Sequence, residues 1–318
     1  MFKAFTSVFK KKPVVVINVT PELVQKRHIL SQNLQQIYKS QIDLMNKSVD
    51  NIAKVPLINH YIALNDQYKT QYKEICDKSF ENIDYSEENF LKLINKQLDF
   101  KVSELVAINN KITIDELLSL DENYTDQIDD FFFKFHINRI NASFSLKEYI
   151  YHESLLQNHS SEKVLNDAIK STSKILSLND YPIPKFVITK SQSEFPEIYC
   201  IAPHVIHIMF ELFKNATIPS ITHNKPITIN IIDDIENENV IYEIIDNGGG
   251  MPTQMLGKIW QFHYTTSKET DRDVIHGFGM GLPLCKVFAK FNNGSLDLIN
   301  RQGDGVTVRL TLPKFFEK

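Results

Sequence analysis

Glycine is missing from most of this chain. All ten glycines lie from Gly248 onward, although an average usage of about 7% would place roughly 17 before that point. Proline is absent between Pro56 and Pro182. Glycine costs a helix interior about 1 kcal/mol and proline about 3, so a long stretch without either reads as helix after helix. Cysteine is scarce too: Cys76, Cys200 and Cys285 are odd in number and far apart. That excludes a disulfide framework and a cysteine-based zinc site, and it suits a reducing compartment. Apolar runs of the ~20 residues needed to cross a bilayer are absent. The net charge of −4 lacks the basic excess of a nucleic-acid binder. No acid occurs before Glu22.

What is present fits an ordinary globular chain. It has 318 residues, 42% hydrophobic and 23% charged, enough for about two domains with real cores. Residues 1–18 form a basic tail with Lys3, Lys10, Lys11 and Lys12. Phe2, Phe5, Val8 and Phe9 fall at helical spacing there, which resembles a mitochondrial targeting segment; the plainer alternative is a loose tail. Helical periodicity begins at Pro21 and returns in Leu57–Cys76, Glu87–Ile108, Ile114–Leu120, Gln127–Leu156 and Glu162–Leu178. The expected architecture of residues 19–178 is a four-helix bundle. From residue 179 the texture changes. Tyr181-Pro182-Ile183-Pro184 reads as a linker. β-Branched runs follow at Phe186–Thr189, Tyr199–Ala202, Ile227–Asp233, Val240–Ile245, Ser295–Leu298 and Val306–Leu312, with helical stretches Pro203–Ala216 and Leu282–Asn292 between them. Residues 179–318 are therefore expected to form an α/β sandwich, a mixed sheet with helices on one face.

Four motifs carry chemistry. Glu211 and Asn215 are four apart on a predicted helix and share a face. A carboxylate and an amide oxygen suit Mg²⁺, which takes one or two protein oxygens and completes its octahedron with water and phosphate; a plain polar stripe is the competing reading. Asp246 ends an apolar strand and is followed by Asn247 and Gly248-Gly249-Gly250. A carboxylate there can accept a hydrogen bond from an exocyclic amine, although Asp-Asn-Gly is also an ordinary turn. Gly277-Phe278-Gly279-Met280-Gly281-Leu282-Pro283 leads into a helix whose free N–H groups can cradle phosphate. Gly303-Asp304-Gly305-Val306-Thr307 turns into a final strand.

In this order, the four motifs resemble the nucleotide-binding boxes of the GHKL ATPases (gyrase, heat-shock chaperone, histidine kinase, mismatch-repair ATPase). Glu-Leu-Phe-Lys-Asn-Ala, Asp-x-Gly-Gly-Gly, His263-Tyr264-Thr265-Thr266 and His276-Gly-Phe-Gly-Met-Gly-Leu-Pro283 narrow the resemblance to the mitochondrial 2-oxoacid dehydrogenase kinases. The wording is nearest the branched-chain member, with the pyruvate dehydrogenase kinases next. The resemblance implies a GHKL-type sandwich behind a four-helix bundle and an ATP-dependent protein-serine kinase, using ATP and Mg²⁺. Its substrate would be the E1α subunit of a 2-oxoacid dehydrogenase, inactivated by phosphorylation. Recruitment to a lipoyl domain of the E2 core, a homodimer and the mitochondrial matrix are implied as well.

By the same resemblance Glu211 is the general base and Asn215 the Mg²⁺ ligand. Asp246, Gly248 and Gly250 bind adenine, and Thr265, Thr266 and Ser267 begin a lid. Gly277, Phe278, Gly279, Met280, Gly281 and Leu282 wrap the triphosphate, and Thr307 closes the pocket in place of the family threonine, where Val306 stands. Lys214 is expected to face solvent or the phosphates, and Asn247 replaces an arginine. His152, on the last bundle helix, matches the family's helical histidine. Two other readings are a two-component histidine kinase, with His152-Glu153 as a truncated acceptor box, and a nucleotide-binding scaffold without phosphotransfer.

Overall fold

A computed structural model describes residues 20–52, 56–80, 86–99, 122–151, 154–262, 264 and 280–315. The chain divides into two compact units, in essence Phe9–Leu155 and Leu156–Lys318.

The first unit holds four helices among the described residues: α1 (Pro21–Ile52), α2 (Pro56–Phe80), α3 (Glu87–Asp99) and α4 (Glu122–Tyr151). Their starts are written in the sequence. Thr20 Oγ1 accepts the Leu23 N–H at 3.3 Å ahead of α1, and Ser86 Oγ accepts the Asn89 N–H at 3.3 Å ahead of α3, the usual answer to unpaired donors at a helix start. α1 packs on α2 and α4, and α3 packs on the same two, closing a ring of four. Leu23, Leu30 and Leu34 from α1, Ile75 from α2, Phe90, Leu91 and Ile94 from α3, and Phe131, Phe132 and Phe135 from α4 fill the core.

One buried polar knot interrupts it. Arg27 Nη2 meets Glu87 Oε2 at 2.5 Å, and the Tyr149 hydroxyl donates to the same carboxylate at 2.8 and 2.9 Å. The Arg27 guanidinium also lies 4.4 Å from the centre of the Phe90 ring. Three helices are thereby joined through charges that have no water to fall back on.

The second unit is the α/β sandwich. Its five-stranded mixed sheet runs β2 (Phe186–Lys190), β4 (Ile227–Asp234), β5 (Asn239–Asp246), β7 (Gly305–Pro313), β6 (Ser295–Arg301). β2 and β4 are parallel and the remaining pairs antiparallel. α6 (Ala202–Thr222) lies on β4 and β5, and α7 (Gly281–Phe291) lies on β6 and β7. Period-two alternation decides the faces. Val240, Tyr242 and Ile244 are buried beneath the helices together with Val308, Leu310 and Leu312. The opposite face carries a polar chain, in which Asn230 Nδ2 donates to Glu243 Oε2 at 3.2 Å and Arg309 Nη2 to Glu243 Oε1 at 2.7 Å.

The expected boundary at residue 178 is corrected. α5 (Ser161–Leu178) belongs to the second unit, where it packs on α6 and buries Val164, Leu165, Ala168 and Leu176. It is entered from β1 (Gln157–Ser160), which pairs antiparallel with β3 (Glu197–Cys200). The strand Gln-Asn-His-Ser has no apolar alternation, so its sequence hides it. Tyr181–Pro184 is a connection inside this unit between α5 and β2. The expected helix Ile114–Leu120 lies outside the described residues.

Candidate functional site

α6 supplies the first half of the site. Pro203 sits in its first turn, where a missing N–H does no harm. His207, Glu211 and Asn215 follow at four-residue intervals and so share one face. Asn215 is exposed, whereas Glu211 is buried and only 5% accessible. The Lys214 ammonium lies 2.6 Å from Glu211 Oε2 and Lys214 is itself buried, so the expectation that it faces solvent is corrected. The same carboxylate abuts the start of α7: a methyl group placed on Gly281 would come within 2.5 Å of Glu211 Oε2.

Burial alone would push the Glu211 carboxyl up. Lys214, His207 and the hydrogen bond from Lys214 outweigh that and hold it below its ordinary value. The positive end of the α7 dipole acts in the same direction. Glu211 is therefore an anion at neutral pH, held between an ammonium and a helix start.

β5 and the loop after it supply the second half. Asp246 is half-buried at the strand end. Its Oδ1 accepts the Gly248 N–H at 3.0 Å and the Val306 N–H at 3.4 Å, leaving Oδ2 as the acceptor for an outside donor. Burial pushes this carboxyl up, against a smaller pull from those two backbone donors. Gly249 and Gly250 have φ of +85° and +75°, a region side chains rarely enter. Gly248 is glycine for another reason: a methyl group there would overlap Pro219 of α6, at 2.1 Å from its Cβ. Part of the glycine triplet thus serves packing between loop and helix.

Several expected site residues come together, and one does not. Glu211 and Gly281 are neighbours across α6 and α7, with Met280 the residue before the helix and Leu282 in its first turn. Asp246, Gly248 and Gly250 share one loop. Thr307 pairs with Ile245 on β5, whereas Val306 pairs with Asp246. Strand alternation therefore places the Thr307 side chain on the sheet face opposite Asp246, and the group of this segment that reaches Asp246 is the Val306 backbone N–H. His152, Thr265, Thr266, Ser267, Gly277, Phe278 and Gly279 lie outside the described residues.

His207, at the head of the first motif, carried no expected role, and Pro219 and Asn300 were not foreseen. His207, one helical turn before Glu211, could have been found from its spacing. Asn300, whose amide bonds Met251, gave no local signal.

The donor set can be tested against a metal and a nucleotide. No cluster of three or more His, Cys, Asp or Glu side chains suited to a metal occurs among the described residues. With Glu211 committed to Lys214, the exposed Asn215 oxygen is the remaining oxygen donor of that set. One protein oxygen fits Mg²⁺ arriving with a polyphosphate and water, and Asp246 Oδ2 beside an open glycine loop fits an amino-bearing base.

Residues 201–315 match the family described as "Histidine kinase-, DNA gyrase B-, and HSP90-like ATPase". Human [pyruvate dehydrogenase (acetyl-transferring)] kinase isozyme 4, mitochondrial, is 23% identical over 307 residues, covering 88% of this chain and 73% of that protein. Human isozyme 1 is 27% identical over 158 residues, covering 45% of this chain and 36% of its own length. Among solved structures, the catalytic domain of the histidine kinase ThkA superposes with a TM-score of 0.39 at 16% identity, over 51% of this chain and 99% of that one. Residues 201–315 thus match the histidine kinase-, DNA gyrase B- and HSP90-like ATPase family, in a chain similar over most of its length to mitochondrial pyruvate dehydrogenase kinases.

Proposed function

We propose that the protein is an ATP- and Mg²⁺-dependent protein-serine kinase acting on the E1α subunit of a 2-oxoacid dehydrogenase, pyruvate or branched-chain, and that phosphorylation inactivates the substrate. The observation that carries this reading is the buried, ionised Glu211 one helical turn from Asn215 and against the start of α7. Mg-ATP, when bound, supplies the transferable phosphoryl group. The chain's own residues do the rest. Asn215 offers the oxygen for Mg²⁺. Asp246 accepts a hydrogen bond from the adenine amine. Glu211 receives the proton of the substrate serine hydroxyl, a task that needs an ionised carboxylate within reach. Phosphoryl transfer asks for little more than such positioning and charge. A homodimer, docking on a lipoyl domain of the E2 core and residence in the mitochondrial matrix belong to the same proposal; of these, a mitochondrial location is supported by the names of the relatives.

The test is incubation of the full chain with Mg-ATP and separate pyruvate and branched-chain E1 components, with Glu211→Gln as the blank. Phosphoserine on one E1 component, absent with the blank, is expected. ATP binding without transfer to either component would favour the second reading, a nucleotide-dependent scaffold. The close Lys214–Glu211 pair, which occupies the base, is the observation that motivates it.

A further inference from the structure

Asn300 stands in β6 and belongs to none of the four motifs. Its amide spans both polar groups of one residue in the glycine loop: Nδ2 donates to the Met251 carbonyl at 2.8 Å, and Oδ1 accepts the Met251 N–H at 2.9 Å. Beside it, the Gly249 N–H donates to the Asp304 carbonyl at 3.1 Å, and the Gly303 N–H donates to the Gly249 carbonyl at 2.8 Å. Residues 249–251 are thus laced to the end of β6 and to the β6–β7 turn by four hydrogen bonds. Asn300 is the one side chain among the groups that form them. The strand leaving that turn delivers the Val306 N–H to Asp246 Oδ1.

The turn does not depend on this lacing for its own shape. Asp304 N–H donates to the Arg301 carbonyl at 2.9 Å, the Arg301 and Asp304 side chains pair at 3.3 Å, and β6 and β7 pair continuously from Ser295 to Arg301. The glycine loop is different. A run of glycines has the largest conformational freedom to lose, and its place beside Asp246 has to be imposed from outside.

We infer that Asn300 is a positioning residue for purine recognition: by clamping Met251 it fixes the loop beside Asp246, so that carboxylate and loop backbone keep the spacing a 6-amino purine needs. The inference rests on the nucleotide reading of the Asp246 pocket. Its signature is selectivity. A base with a 6-oxo group lacks the exocyclic amine that this spacing serves, so loosening the loop should harm it less.

The experiment compares the full chain with its Asn300→Ala and Asn300→Asp variants. Binding of ATP and inosine triphosphate, each with Mg²⁺, is measured by calorimetry, alongside melting without nucleotide. Loss of the two bonds in Asn300→Ala should weaken ATP about tenfold, inosine triphosphate less than about twofold, and so narrow selectivity about fivefold. Asn300→Asp keeps an acceptor for the Met251 N–H but loses the donor. It should fall between the two, and it decides the matter if the alanine variant does not fold. Equal weakening of both nucleotides, or unchanged selectivity, overturns the inference and leaves the pocket reading standing. A wild-type chain that binds neither nucleotide overturns both.

Discussion

Gly281 and Glu211 define a tight meeting point of the site. A methyl group at position 281 must displace a carboxylate that Lys214 holds in place. Gly281→Ala is therefore expected to lower the phosphotransfer rate by about tenfold or more, a fraction of what a general base contributes. Steady-state kinetics with E1 as substrate checks this; an unchanged kcat would show that the carboxylate can step aside. Asp246 gives a second test, through pH. Its carboxyl is raised in the fold by burial, so it takes up a proton at a higher pH than an ordinary aspartate, near 3.9. Protonation removes the acceptor. Acidification should then weaken ATP binding before it unfolds the protein, because a raised acid favours the fold in its protonated form and loses that contribution only as pH rises through its folded value. Glu211, held below its ordinary value, titrates at lower pH and cannot mimic the effect. Calorimetric titrations at falling pH should show a steeper loss of ATP affinity in wild type than in Asp246→Asn.

Among the elements, the helical unit turns on its buried knot. Glu87→Ala leaves the Arg27 guanidinium in the core without its carboxylate. Breaking one side of such a pair costs about 3–5 kcal/mol, so a large drop in the midpoint of denaturant unfolding is expected, far beyond that of an exposed pair such as Lys92–Glu88. Much at this scale was legible in the sequence. The strands after residue 185 and the helices from Pro203 and Leu282 announced themselves through β-branched alternation and a proline in the first turn, because burial on one sheet face enforces that period. β1 was illegible, since a four-residue strand of polar side chains satisfies its backbone through β3 without any apolar pattern. The boundary went with it. In the site, the shared helix face of Glu211 and Asn215 could be read from their spacing, and the place of Asp246 from the strand it ends and the glycines after it. The Lys214–Glu211 contact, the face of Thr307 and the Asn300 clamp depend on strand register and on distant parts of the chain, which spacing does not encode.

For the molecule as a whole, two units with separate cores make a prediction about cutting the chain. A fragment of residues 156–318 keeps α5 over α6 and should express, melt cooperatively and bind Mg-ATP. A fragment of residues 179–318 loses α5 and bares the surface of α6 that Val164, Leu165 and Ala168 cover. It should aggregate or fail to melt cooperatively. If the shorter fragment proved as stable as the longer, the boundary at residue 155 would be wrong. The seat of Gly248 on Pro219 has a consequence for how such a protein can change over generations. The two positions are locked to each other: the ring at 219 leaves no volume for any side chain at 248, so drift at 248 must wait for the neighbour to shrink first. In a library randomised at both sites, survivors with a side chain at 248 should carry a smaller residue at 219.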